Sequence, residues 1–245
     1  VDQSPIGKTT RSNPVSYVGA FDLIRKQFAA TELARERGYT AGVFSFNSGD
    51  GRCPTCGGSG FEHVEMQFLS DVYLRCPDCN GRRWRPEVLE VTIERPARSL
   101  ATDADLDAAA ERLAEVASGR PDPAPAARAL NVADVLELTV AEAAQLFAQD
   151  RDVIRALQPL MDVGLDYVKL GQPVPTLSGG EAQRLKLAGH LAEAAQTASR
   201  SRQPVAKKGT LFLFDEPTSG LHFDDIAKLM RALRKLLQAG HSIIV

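Results

Sequence analysis

Four cysteines, Cys53, Cys56, Cys76 and Cys79, form two C-x-x-C pairs with 19 residues between them, and the 245-residue sequence contains no others. No other feature restricts the fold so much. Each pair presents two sulfurs from one tight turn, and four soft thiolates are what a tetrahedral zinc ion binds. The segments Cys53-Pro54-Thr55-Cys56-Gly57-Gly58 and Cys76-Pro77-Asp78-Cys79-Asn80-Gly81 are near copies. Glycine after the second cysteine lets the chain fold back under the metal with its N–H groups aimed at sulfur. The alternatives are two disulfides or free thiols in a core. The N-terminus has no basic region followed by an apolar core, so nothing points to secretion and zinc is the favoured reading. His63 is a conceivable fifth ligand, but four thiolates fill a structural site and a strand position suits it better.

The chain is long enough to bury a core, as one large domain or two small ones. At 44% hydrophobic and 24% charged, it excludes disordered, collagen-like and coiled-coil chains. No run approaches the roughly 20 apolar residues that span a bilayer, so no membrane role and a cytoplasmic location are expected. The net charge of −2 is an average. Residues 99–150 hold ten acids and three bases, whereas residues 151–210 hold nine bases and five acids, so global charge does not exclude a nucleic acid. The sequence starts at Val1 and stops at Ile243-Ile244-Val245, inside an apolar run, and reads as cut at both ends.

Hydrophobic spacing predicts a helix from Phe21 to Arg37, closed by Gly38, after a loop over 1–20. The zinc module runs over 42–94. Alternation from Phe61 to Phe68 predicts a strand that pairs with Val72-Tyr73-Leu74, and Val88–Ile93 is a further strand candidate. Residues 95–130 read as an acidic Ala/Pro-rich insertion, with a helix over Asp103–Ser118 and a linker over Gly119–Pro125. Val132–Leu157 is helical in pattern, with Thr139 as a cap. Residues 197–209 form a basic loop. Leu211–Phe214 then reads as a buried parallel strand, Ile226 to Leu236 as an amphipathic helix ended by Gly240, and Ser242–Val245 as another strand. This alternation predicts an α/β sheet.

Two motifs carry chemistry. In Leu177-Ser178-Gly179-Gly180-Glu181, a serine and two glycines open a helix, whose free N–H groups and dipole favour phosphate; an ordinary capped helix start is the plainer alternative. In Leu211-Phe212-Leu213-Phe214-Asp215-Glu216-Pro217, two carboxylates sit at the tip of a strand, where open α/β sheets bind nucleotides. Asp215 suits Mg²⁺ and Glu216 suits an attacking water, unless the pair is a solvated turn.

These segments, with Thr218-Ser219-Gly220-Leu221-His222, resemble the signature, Walker B and D-loop of ABC-type ATPases. With the zinc module upstream, and with Asp2–Gly7, Arg11–Pro14, Gly51–Cys53, Leu170–Pro173 and Gly220–Phe223, the chain resembles the UvrA family, damage-sensing ATPases of bacterial nucleotide excision repair. The resemblance is to the C-terminal nucleotide-binding half and covers most of the chain outside 95–130 and part of 197–209. It implies an α/β fold: a partial ABC-type ATPase domain with an inserted zinc module and a helical signature subdomain. The segments are then 1–41 (Q-loop and start of the signature subdomain), 42–94 (zinc), 95–130 (insertion), 131–196 (signature subdomain) and 197–245 (Walker B and D-loop).

By position, the resemblance implies that Gln3 is the Q-loop glutamine, which senses γ-phosphate and Mg²⁺. It implies that Ser178, Gly179, Gly180 and Glu181 contact ATP held by the opposing nucleotide-binding domain. Asp215 and Glu216 become the metal-binding and catalytic carboxylates, and the four cysteines the zinc ligands. Implied partners are damaged double-stranded DNA, a UvrB-like protein, the other nucleotide-binding domain and a second copy. No G-x-x-x-x-G-K-[ST] occurs in these 245 residues. In the family that loop would precede Val1 and a switch histidine would follow Val245, so little ATPase activity is expected of this chain alone.

For DNA, Lys8, Arg11, Ser12, Asn13 and Tyr17 form a donor-rich loop suited to phosphates, or merely an exposed polar loop. Arg82-Arg83-Trp84-Arg85 can stack on a base or grip a backbone, or Trp84 can pack under the knuckle with its arginines solvated. The insertion and the long basic loop depart from the commonest UvrA pattern. They leave open a paralogue, for instance in antibiotic self-protection. A zinc-ribbon scaffold on a non-hydrolytic ATPase fold is the alternative from another class.

Overall fold

The computed structural model describes residues 11–64, 72–96, 127–200, 209–218 and 223–245. Gln3, Lys8, the helix expected over 103–118, the linker over 119–125, residues 201–208 of the basic loop and the D-loop residues 219–222 lie outside them. Among the described residues, no helix is long and apolar enough to cross a membrane.

The described residues begin with α1 (Pro14–Tyr17), which interrupts the loop expected over 1–20; its cap is Asn13, whose side chain accepts from the Ser16 N–H, and Pro14 supplies a preset first turn. The single helix expected over 21–37 is two, α2 (Ala20–Ala29) and α3 (Glu32–Glu36). Thr31 causes the break. Its Oγ1 donates to the Phe28 carbonyl and accepts from the Ala34 N–H, ending one helix and starting the next. Phe21, Ile24 and Phe28 share the buried face of α2, as their spacing predicts.

In the cysteine-bearing module, β1 (Phe61–Val64) pairs antiparallel with β2 (Val72–Arg75), Phe61 opposite Arg75. The strand expected over 88–93 starts late. Pro86 presets a helical turn, α4 (Pro86–Leu89), and only then does β3 (Thr92–Pro96) begin. It pairs antiparallel with β4 (Ala127–Asn131). An aromatic cluster fastens this module to α2: the rings of Phe21 and Phe46 lie 5.0 Å apart, those of Phe46 and Trp84 5.9 Å, and those of Phe28 and Phe44 5.5 Å.

The expected helix over 132–157 is three: α5 (Val132–Glu137), α6 (Val140–Leu146) and α7 (Arg151–Asp162). Asn131 with Asp134 forms the capping box that starts α5 after β4, and Thr139 with Glu142 forms the one that restarts the helix as α6 after an extended Leu138. Thr139→Ala is expected to lower stability by about 1 kcal/mol, measured as a lower urea midpoint with an unchanged slope.

A single turn at Val174–Thr176 leads into α8 (Gly179–Arg200). After it, β5 (Leu211–Leu213) and β6 (Ser242–Ile244) pair in parallel, joined through α9 (Phe223–Gln238). Leu157, Leu160, Leu185, Leu229 and Leu236 form the core under α7, α8 and α9. The expectation of a fully buried β5 is not met. Leu211 and Leu213 are exposed, while Phe212 turns inward between the rings of His190 and His241.

Candidate functional site

The four cysteine sulfurs all lie within 4.8 Å of one another. Cys53 and Cys76 sulfurs are 3.9 Å apart, and those of Cys56 and Cys79 3.7 Å. A disulfide needs about 2.05 Å, so all four are free thiols. Bonds of about 2.3 Å to a tetrahedral ion put sulfurs roughly 3.8 Å apart. The spacing therefore fits one thiophilic cation.

The two knuckles are copies in geometry as well as sequence. The first, second and fourth residues after each second cysteine have left-handed backbone: Gly57, Gly58 and Gly60 in one, Asn80, Gly81 and Arg83 in the other. In each, the fourth residue's N–H points at the cysteine sulfur, from Gly60 to Cys56 and from Arg83 to Cys79. Its carbonyl accepts from the first cysteine of the other knuckle, Gly60 from Cys76 and Arg83 from Cys53. Burial, with the neighbouring thiols, pushes the Cys79 thiol up to about 12. A bound cation reverses that balance, because it stabilises the thiolate.

Arg83 departs from the pattern, since a left-handed conformation costs a non-glycine residue about 1–2 kcal/mol. Its side chain is buried, with Nη2 donating to the Gly171 carbonyl at 3.0 Å and the guanidinium 4.9 Å from the centre of the Phe46 ring. Burial pulls it down to about 10. Trp84 is buried too, at 1% exposure. The stacking alternative for Arg83 and Trp84 thus gives way to packing under the knuckle, because neither presents a face to solvent. Arg82 is exposed but paired with Asp134 at 3.0 Å.

The donor-rich loop is also largely committed to the fold. Asn13 is 1% exposed and serves as a helix cap, so it is not a phosphate contact here. Arg11 donates to the Gly57 carbonyl at 2.9 Å, holding the first knuckle. Ser12 accepts from the Val174 N–H through its carbonyl, and the half-exposed Tyr17 lies against Gly189 of α8. Arg11 and Arg83 thus tie the two knuckles to neighbouring segments, 11–15 and 170–174, which are themselves joined by backbone bonds.

Downstream of those segments, Ser178 and Glu181 start α8 with a capping box. The Glu181 carboxylate accepts from the Ser178 N–H at 2.7 Å, and Ser178 Oγ accepts from the Glu181 N–H at 3.3 Å. A Cβ at Gly179 or Gly180 would meet no neighbouring atom within 4 Å among the described residues, so their packing does not demand these glycines. Sequence reading missed Tyr167 and Arg184. Tyr167 donates to Glu181 at 2.7 Å and accepts from Arg184 at 3.2 Å. Burial pushes the Glu181 carboxyl up, but hydrogen bonds from Ser178 and Tyr167, with Arg184 nearby, leave it below the usual carboxylate range. The signal for Arg184 was present, three residues after Glu181 on a helix.

Asp215 and Glu216 follow β5 and are exposed. Glu216 has φ +43°, the left-handed region. It lines one hollow with Gly180, Gln183 and Arg184, so the strand tip and the start of α8 meet. His190 packs edge-on against Phe212 at 4.9 Å.

No family model matches the chain. The UvrABC system protein A of Thermus thermophilus is 44% identical over 245 residues, all of this chain and 21% of that protein. Its counterpart in Methanothermobacter thermautotrophicus is 45% identical over the same length, again 21% of the relative. The crystal structure of UvrA2 from Deinococcus radiodurans matches with a TM-score of 0.73 and 44% identity, covering 100% of this chain and 24% of that one. The chain spans about a fifth of the length of the curated relatives it matches.

Proposed function

We propose, from a chain that is UvrA-like along its whole length, that it supplies part of the second nucleotide-binding half of a UvrA-type ATPase in nucleotide excision repair. Asp215 holds Mg²⁺ and Glu216 orients the attacking water. Ser178, Gly179, Gly180 and Glu181 face ATP bound by the opposing half, and Gln3 belongs to the Q-loop. Cys53, Cys56, Cys76 and Cys79 hold one structural zinc. ATP turnover is coupled to binding damaged duplex DNA and to loading a UvrB-like partner from a homodimer in the cytoplasm. The segments 1–41, 42–94, 95–130, 131–196 and 197–245 keep the roles that the resemblance gives them.

The observation that carries this reading is the start of α8, a capped helix N-terminus whose two glycines no atom of the described residues crowds within 4 Å, so that a phosphate held by the opposing half can approach it. At the metal site, the chain's own residues do the positioning. The Gly60 and Arg83 N–H groups orient the sulfurs, and zinc supplies the charge that keeps them as thiolates. Readout of a lesion through DNA deformability needs no base-specific side chain, which accords with Trp84 and Asn13 being buried.

Ser178→Arg in the full-length protein tests the signature role, because it puts a long side chain where phosphate must approach. ATP turnover is expected to fall at least about tenfold, roughly 1.4 kcal/mol, with zinc content unchanged. Normal turnover would remove the signature from the site.

A further inference from the structure

Residues 164–170 connect the end of α7 to the segment before α8, and backbone bonds fix them to the start of α6. The Val140 N–H donates to the Val168 carbonyl and the Ala141 N–H to the Asp166 carbonyl, both at 2.9 Å, and the Leu170 N–H donates to the Leu138 carbonyl at 2.8 Å. From this support Tyr167 reaches Glu181 in the first turn of α8. The direction of each bond follows from the groups. A guanidinium only donates and a carboxylate only accepts. Arg184 Nη2 therefore donates to the Tyr167 oxygen at 3.2 Å, and the phenol's own proton goes to Glu181 Oε1 at 2.7 Å. Glu181 Oε2 accepts from the Ser178 N–H at 2.7 Å. Arg184, Tyr167, Glu181 and Ser178 thus form one series of hydrogen bonds, in which each polarises the next.

A capping box needs no third residue. In the box that starts α6, Glu142 accepts from the Thr139 N–H at 2.7 Å, and among the described residues no side chain donates to Glu142. Burial does not account for Tyr167 either, since it is 54% exposed. Electrostatics gives the series a purpose. Glu181 puts a negative charge in the first turn of a helix whose N-terminus is to meet a phosphate. The Tyr167 hydroxyl, with Arg184 behind it, holds that carboxylate and offsets its charge. The same support reaches α9: Asp166 pairs with Lys228 at 3.2 Å, and Lys228 with Asp225 at 3.5 Å. The starts of α8 and α9 are therefore set from one turn.

We propose that Tyr167 is a positioning residue of the signature segment: its hydroxyl holds Glu181, and through it the Ser178 backbone, in the geometry that meets phosphate held by the opposing half. This rests on the ATPase reading above and adds the group that sets the segment's shape. Glu181 then contributes through its hold on Ser178, with both carboxylate oxygens engaged inside the chain.

The test is steady-state MgATP hydrolysis by the full-length protein carrying Tyr167→Phe, Glu181→Ala, both together, or Ser178→Arg. Tyr167→Phe keeps the ring and deletes the hydroxyl. It is expected to lower kcat about fivefold, roughly the worth of one hydrogen bond. KM for ATP should change less than about twofold, because the opposing half holds the nucleotide. The double variant should match Glu181→Ala within about twofold, since the hydroxyl acts through that carboxylate. Without ATP, amide exchange over 177–182 should rise in Tyr167→Phe while exchange over 140–146 stays as it was, with the melting temperature within about 2 °C of the parent. A merely structural role would lower the melting temperature further or multiply with Glu181→Ala, and either result overturns the proposal. So does an unchanged kcat in Tyr167→Phe. Ser178→Arg separates the two failures. If it is slow and Tyr167→Phe is not, only the role of Tyr167 falls; if Ser178→Arg turns over normally, the signature reading falls and this proposal with it.

Discussion

Stripping the metal with a chelator, or replacing Cys76 by serine, is expected to lower the melting temperature by roughly 8–16 °C, the shift that a loss of about 4 kcal/mol gives a chain of this size. Cys53 and Cys76 are buried, and the four sulfurs crowd within 4.8 Å. Without a cation they are four crowded thiols, two of them buried, and partial burial with the neighbouring thiols pushes Cys79 up to about 12. With one, the site gains binding energy on the order of 10 kcal/mol, as in zinc-finger peptides, of which the fold keeps only the part that the unfolded chain's cysteines do not recover by binding metal themselves. The loss should spread beyond the module. Each knuckle is anchored by one arginine, Arg11 on Gly57 and Arg83 on Gly171, so slack in the knuckles frees residues 11–15 and 170–174 together. Amide exchange over those two stretches should rise with that over 52–85. A melting shift under about 2 °C, well below what loss of a structural metal gives, would show that the fold does not depend on the centre.

The knuckles were legible because their information is local. C-x-x-C followed by residues that tolerate a left-handed backbone specifies one turn, and the turn specifies where the sulfurs point. Thr139 as a cap and the buried face of α2 were legible for the same reason. The helix break at Thr31 was not foreseen, although threonine is a good cap, nor was the stop between Leu146 and Arg151; apolar spacing runs on through a cap, and at Thr31 only the competing side-chain bonds reveal the stop. Arg83 was beyond local reading. An arginine beside a tryptophan looks like a solvent-facing binding pair, and what buries it is a carbonyl 88 residues away. Asn13 misled similarly, as a polar residue in a polar loop whose side chain is spent on starting α1. The meeting of Glu216 with Gly180 depends on how α8 packs beside β5, which no spacing within either motif encodes.

Replacing Glu216 by glutamine is expected to cost two or more orders of magnitude in ATP turnover, the usual worth of a positioned general base. The change keeps size and hydrogen-bonding capacity and removes only the charge that orients and activates water. ATP should still bind, because Mg²⁺ is assigned to Asp215 and γ-phosphate sensing to Gln3, and Glu216 is given no phosphate contact. Asp215→Asn should instead weaken Mg²⁺-dependent binding of ATP itself. Glu216 sits in a left-handed conformation at the end of a strand, a strained placement of the kind that functional residues adopt. The most direct measurement is steady-state MgATP hydrolysis by the full-length protein, compared with its Glu216→Gln variant at saturating ATP. Turnover reduced about a hundredfold or more, with ATP still bound, is the predicted result. Equal turnover by the two proteins would contradict a UvrA-type ATPase role for this chain.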